Sequence, residues 1–171
     1  AFGNAVNDLC DIRTDRISHP TRPLPSGALT PAAAVVYACL LAAVSLAAGF
    51  GVSTAHGLGV AVPLVLLLGY AASLKRTPLL GNMLVAVLVA YPLLFGALGT
   101  AGCRRLVIPA LLAFLLNLSR EIVKDIQDAT GDTREGMRTS AVLPGRLLAA
   151  LLAVSSVAYL SLLFVPWRLG H

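Results

Sequence analysis

Five stretches of the chain, residues 32–50, 57–74, 79–99, 106–119 and 147–167, consist almost wholly of apolar side chains and carry almost no charge. A helix needs about 20 such residues to cross a hydrocarbon layer of about 30 Å. The fourth stretch is the shortest, but it runs without a breaker into the polar residues beyond Arg120. That continuity predicts one helix carrying its polar end into the interface. Pro63, Pro92 and Pro109 fall inside the stretches, which membrane helices tolerate because neighbouring groups re-satisfy the freed carbonyls. Composition excludes the water-soluble alternatives: 57% of the residues are apolar and 12% charged, against about 25% charged in a soluble domain. The same arithmetic excludes a disordered chain and a small disulfide-stapled fold. The expectation is an all-α, polytopic transmembrane helix bundle with five full spans and the end of another, forming one domain over 1–171.

Parity then sorts the polar segments. If residues 1–31 lie on one side, stretches 74–78 and 120–146 return to that side, and the links near 51–56 and 100–105 lie opposite. Ten of the thirteen Lys and Arg fall on the first side, with Arg104, Arg105 and Arg168 on the other. The positive-inside rule makes the first side cytoplasmic. The net charge of +5 thus reads as topology-setting cations, and nucleic acid is not an expected partner. Cys10, Cys39 and Cys103 are widely spaced without a CxxC and read as small apolar side chains. The chain opens at Ala1 and enters a polar motif at once, which suggests an internal piece of something longer.

All eight acidic residues lie in two clusters. Asp8, Asp11 and Asp15 follow i, i+3, i+7, and so do Asp125, Asp128 and Asp132. Stepping back by four adds Asn4 to the first set and Glu121 to the second; Glu135 follows the second. At an offset of 117 residues the two segments align at all three Asp and at Val6/Val123. On a helix this spacing stacks the carboxylates on one face, where they repel unless a cation sits among them. Two such faces on one membrane side suit a divalent metal with a polyphosphate, and hard oxygen ligands favour Mg²⁺. Arg13, Arg16 and Arg22 follow the first cluster, and Arg120, Lys124, Arg134 and Arg138 surround the second. Such cations can neutralise charge building on a departing diphosphate. Solvated interfacial ion pairs are the plainer alternative.

The run Asn7-Asp8-Leu9-Cys10-Asp11-Ile12-Arg13-Thr14-Asp15, followed by Arg22-Pro23-Leu24-Pro25-Ser26-Gly27, resembles the NDxxDxxxD…RPLxxG signature of UbiA-type membrane prenyltransferases. Arg120-Glu121-Ile122-Val123-Lys124-Asp125-Ile126-Gln127-Asp128, with Gly131-Asp132 and Gly136, resembles that family's second aspartate motif. Tyr70 to Lys75, with Arg76-Thr77-Pro78 and Gly81-Asn82, resembles the connection between its fourth and fifth helices. The resemblance implies a bundle, usually of nine helices, of which this chain would hold the end of the second through the seventh.

By that resemblance Asn7, Asp8, Asp11 and Asp15 would hold one Mg²⁺, and Asp125, Asp128 and Asp132 a second. The donor would be a prenyl diphosphate, with Arg22, Lys75 and Lys124 on its oxygens. Ionisation would give an allylic cation, captured by a lipophilic acceptor held nearby. Tyr70 belongs to the substrate-binding set, and Tyr37, Tyr91, Phe95 and Phe114 are further aromatic candidates to face the cation. The second motif and Leu74-Lys75-Arg76-Thr77 are most similar to the branch that makes digeranylgeranylglyceryl phosphate. A phosphorylated acceptor would need an extra anion site, for which Arg120 or Arg138 could serve. Quinone-, chlorophyll- and haem-forming branches share much of the pattern. An ion or solute transporter is the alternative from another class, because intramembrane carboxylates often mark ion routes. A CDP-alcohol phosphotransferase ranks third, since its DG…AR and GxxxDxxxD pattern is missing.

Overall fold

The computed structural model of the chain describes residues 1–100, 102–134 and 139–165, with 130–134 as backbone only. Among the described residues all regular structure is helical, as the apolar stretches predict. The chain divides into two compact units, Ala1–Leu74 and Lys75–His171.

The first unit contains α1 (Phe2–Ser18), α2 (Pro31–Val52) and α3 (Thr54–Ala72), and each helix packs on the other two. Thr30 starts α2: its hydroxyl accepts from the Ala33 N–H at 3.2 Å, and Pro31 supplies a preset φ at the first helical position. Ser53 alone separates α2 from α3. Its N–H donates to the Gly49 carbonyl, closing one helix, and its hydroxyl accepts from the His56 N–H, opening the next. The link expected over 51–56 is therefore one residue, because a single serine caps both ends. Small residues permit the tight reversal. A Cβ on Gly49 would come within 3.1 Å of the Gly57 Cα and the His56 carbonyl, and one on Gly57 would fall on the Phe50 ring.

The second unit contains α4 (Leu80–Phe95), α5 (Cys103–Arg134) and α6 (Gly145–Leu163), with α5 packed on both neighbours. At 16 residues α4 is shorter than the stretch 79–99 that predicts it. Its length of about 24 Å falls short of a hydrocarbon core. The chain leaves the helix at Gly96 and turns through Gly99, which takes a φ of +81°. By contrast, α5 runs unbroken for 32 residues through Pro109. That is about 48 Å, so one end must project beyond the hydrocarbon. The projecting end is the acidic one, as its unbroken sequence predicts. The last stretch becomes α6, with Trp167 outside the described residues.

Packing follows the rule for lipid and not for water. Small residues dominate the buried positions, among them Ala34, Ala38, Ala71, Ala86, Ala90 and Ala110. Close backbone approach, and not hydrophobic expulsion, drives helix association in a bilayer. Large aliphatic side chains point outward instead, with Val44, Val65 and Val154 each about two-thirds exposed. Four helices, α2, α3, α5 and α6, are long and apolar enough to cross a membrane.

Candidate active site

Each unit carries one of the two acidic ladders. In the first unit, α1 forms over the whole Asn4–Asp15 motif, so its carboxylates share a face as the spacing predicts. Asp15 is almost fully buried, at 4% exposure, which a lone carboxylate could not sustain. Its partner comes from the loop that follows. The Arg22 guanidinium donates to both Asp15 oxygens, at 3.0 and 2.9 Å. That contact of Arg22 Nη1 with both carboxylate oxygens anchors a loop already folded on itself: Ser26 N–H donates to Arg22 O, and Leu29 N–H donates to Pro23 O. Gly27 lets the loop turn at a φ of +80°.

Between α1, this loop and α2 lies a cavity of about 270 Å³. Asp8, Asp15, Arg22, Leu24 and Tyr37 are among its walls. Asn7 and Asp11 are half-buried on α1 but are not among the residues that line it. Tyr70 is half-buried in the last turn of α3. The helix ends at Ala72, with the Ser73 hydroxyl folded back onto the Gly69 carbonyl. Lys75 lies beyond the end of that helix. It stands in a separate 3-10 turn, Leu74–Arg76, because Ser73 has already stopped the helix.

In the second unit, Asp125 is held by two hydrogen bonds. Its Oδ2 accepts from Asn82 Nδ2 at 3.0 Å and from the Ser140 N–H at 2.9 Å. The Ser140 hydroxyl in turn accepts from the Leu79 N–H at 3.0 Å. Leu79 has a φ of +62°, a conformation uncommon for a residue with a Cβ and maintained only where surroundings enforce it. Ser140 is fully buried, so this network ties the start of α4, the acidic end of α5 and the 3-10 turn Ser140–Val142 together. Neither Asn82 nor Ser140 had been assigned a role from sequence. Asn82 stood inside a quoted motif, which is a signal of a kind; nothing local marks Ser140.

Asp128 is exposed, and Glu121 pairs with the Arg120 guanidinium at 2.8 Å. Lys124 is exposed on a different face, toward α6. The side chain of Asp132, and Arg138 altogether, lie outside the described residues. Among the aromatic candidates, Tyr91 and Phe95 stack on each other at 5.8 Å between ring centroids. The three cysteines are free and exposed.

Among the described residues no three His, Cys, Asp or Glu converge into a metal cage. Open carboxylates of this kind still fit Mg²⁺. That ion keeps several waters and uses one or two carboxylates with substrate phosphates, not an all-protein shell.

A model of the UbiA prenyltransferase family matches residues 1–171. The chain belongs to the UbiA prenyltransferase family. With four helices of spanning length, this UbiA chain is an integral membrane protein. It is 40% identical over 152 residues to the digeranylgeranylglyceryl phosphate synthase of Methanosphaera stadtmanae, covering 89% of this chain and 56% of that protein. It is 37% identical over 171 residues to the synthase of the same name from Thermococcus gammatolerans, covering 99% of this chain and 62% of the relative. A solved structure described as giving insight into digeranylgeranylglyceryl phosphate synthase in membranes superposes with a TM-score of 0.84 at 29% identity. It covers 99% of this chain and 61% of that one. The UbiA chain thus spans somewhat over half the length of these relatives.

Proposed function

We propose that this chain forms the catalytic part of a membrane prenyltransferase of ether-lipid synthesis. The reaction moves an isoprenyl group from a prenyl diphosphate to geranylgeranylglyceryl phosphate. The carrying observation is that every acid in the sequence lies in two short segments, the six aspartates forming two helical ladders of identical spacing. Membership of the UbiA family and the names of the relatives support the same reading, and they do not favour the transporter alternative.

In this reading Asn7, Asp8, Asp11 and Asp15 with Asp125, Asp128 and Asp132 supply the oxygens for Mg²⁺ and the diphosphate. Bound Mg²⁺ would neutralise the diphosphate oxygens and so ease departure of the leaving group. Arg22 and Lys75 contribute fixed positive charge to the same anion. Arg22 is already pre-set for this by the hold of its Nη1 on both Asp15 oxygens. The bond between the allylic carbon and the diphosphate oxygen breaks, and its electron pair leaves with diphosphate. The acceptor hydroxyl oxygen then bonds to that carbon and releases its proton. Apolar helices around the prenyl chain exclude water, which would otherwise capture the cation. Tyr37, a wall of the cavity that also holds Asp8, presents an aromatic side chain where an allylic cation can be stabilised. The polar ends of α1 and α5 lie on the cytoplasmic side, where the cations are concentrated.

The test is release of diphosphate from radiolabelled geranylgeranyl diphosphate by the purified protein in lipid nanodiscs. Release requiring Mg²⁺ and acceptor, and lost in both Asp8→Ala and Asp128→Ala, is the expected result. Accumulation of label inside vesicles without release would sink the transferase reading.

A further inference from the structure

The acidic end of α5 has a second face. Arg120, Lys124 and Gln127 follow i, i+4, i+7, one residue behind Glu121, Asp125 and Asp128. A one-residue offset turns the side chain about 100° round a helix. The acidic face meets α4 through Asp125 and Asn82. The basic face meets α6, where a groove of about 570 Å³ opens between the two helices. Arg120, Lys124, Gln127 and Ser156 give this groove its polar wall, and Leu116 and Leu152 give it an apolar floor. The Ser119 and Ser155 hydroxyls, 2.8 Å apart, hold α5 and α6 together beside it.

We propose that this groove binds the phosphomonoester head of an amphiphile, with the alkyl chain along Leu116 and Leu152. Resting on the function proposed above, that amphiphile is the phosphorylated acceptor. Two cations one helical turn apart match a dianionic head group, and Gln127 and Ser156 offer further donors. The apolar floor distinguishes an amphiphile from free phosphate. The assignment also separates the two anionic substrates: carboxylates on one face of α5 take a metal-bound diphosphate, and cations on the other take a metal-free phosphate. Arg120, which also pairs with Glu121 at 2.8 Å, stands at the border of the two faces, and Lys124 faces the groove. Lys124, assigned to the diphosphate by resemblance, moves to the acceptor.

Dodecyl phosphate binding to the full chain in nanodiscs tests this by calorimetry, independently of turnover. Binding unaffected by excess geranylgeranyl diphosphate with Mg²⁺ is expected. It should weaken at least tenfold in Arg120→Gln and in Lys124→Gln, and Arg120→Lys should stay within threefold of the parent. Ser156→Leu, which fills the groove without removing charge, should weaken it as well. Displacement by the prenyl diphosphate would return these cations to the donor site and overturn the proposal. Equal binding of dodecylphosphocholine or phosphatidylglycerol would overturn it too, by making the groove a contact for membrane phosphodiesters. So would unchanged affinity in the glutamine variants. If dodecyl phosphate behaves as expected while no prenyl transfer occurs, the proposed function fails and the groove assignment stands.

Discussion

A carboxylate drawn out of water needs partners, and in each ladder one aspartate shows them in detail. Asp15 is held by Arg22, and Asp125 by Asn82 and the Ser140 amide. These two aspartates therefore do structural as well as chemical work. Replacing Asn82 by Ala removes a donor to a charged acceptor, with an expected loss of about 1–3 kcal/mol. A fall in thermal midpoint for Asn82→Ala, with Asp128→Ala unchanged in stability, is the signature to look for. Ser140→Ala should also destabilise, because the strained Leu79 loses the hydroxyl that accepts its N–H. Here Ser140→Thr should restore part of the stability if the hydroxyl matters. Arg22→Ala leaves Asp15 buried without its cation, so it should lower stability more than Arg22→Lys does; comparing their melting curves decides this.

Helices of this chain are set locally but fitted by small residues. The α2–α3 reversal through Ser53 brings Gly49 and Gly57 into a contact with no room for a methyl group. Gly49→Ala pushes against backbone atoms at 3.1 Å, which cannot yield as a side-chain tip can. Overpacking of this kind costs about 1–3 kcal/mol. Gly51→Ala, two residues away with nothing within 4 Å, is the control and should be neutral. A comparison of their thermal midpoints in detergent reads the difference. For α5, continuity is the point: a 32-residue helix carries an apolar half and a charged half without a joint.

At the scale of the molecule, the membrane side of the ladders is a prediction from the distribution of cations. Single-cysteine variants retaining Cys10 or Cys103 report it, since both thiols are free and exposed. A membrane-impermeant maleimide should label Cys10 from the cytoplasmic side and Cys103 from the opposite one. Labelling of both from one side would contradict the topology.

Much of this was legible in the sequence. Membrane residence follows from composition, and the shared face of Asp8, Asp11 and Asp15 follows from the helical period; both are properties of a chain segment by itself. The unbroken α5 was readable for the same reason. The length of α4 was not, because where a helix ends depends on what receives its last carbonyls. Nor were the partners that hold Asp15 and Asp125. Asn82 lies 43 residues from Asp125, and Ser140 lies 15 away. A hydrogen bond over such separations exists only after the helices have packed. The sequence alone determined which chemistry the chain carries, since charge and period are local. Only the tertiary structure decided that Asp15 and Asp125 are held in place and that Lys124 lines a groove toward α6, since that depends on what each helix meets.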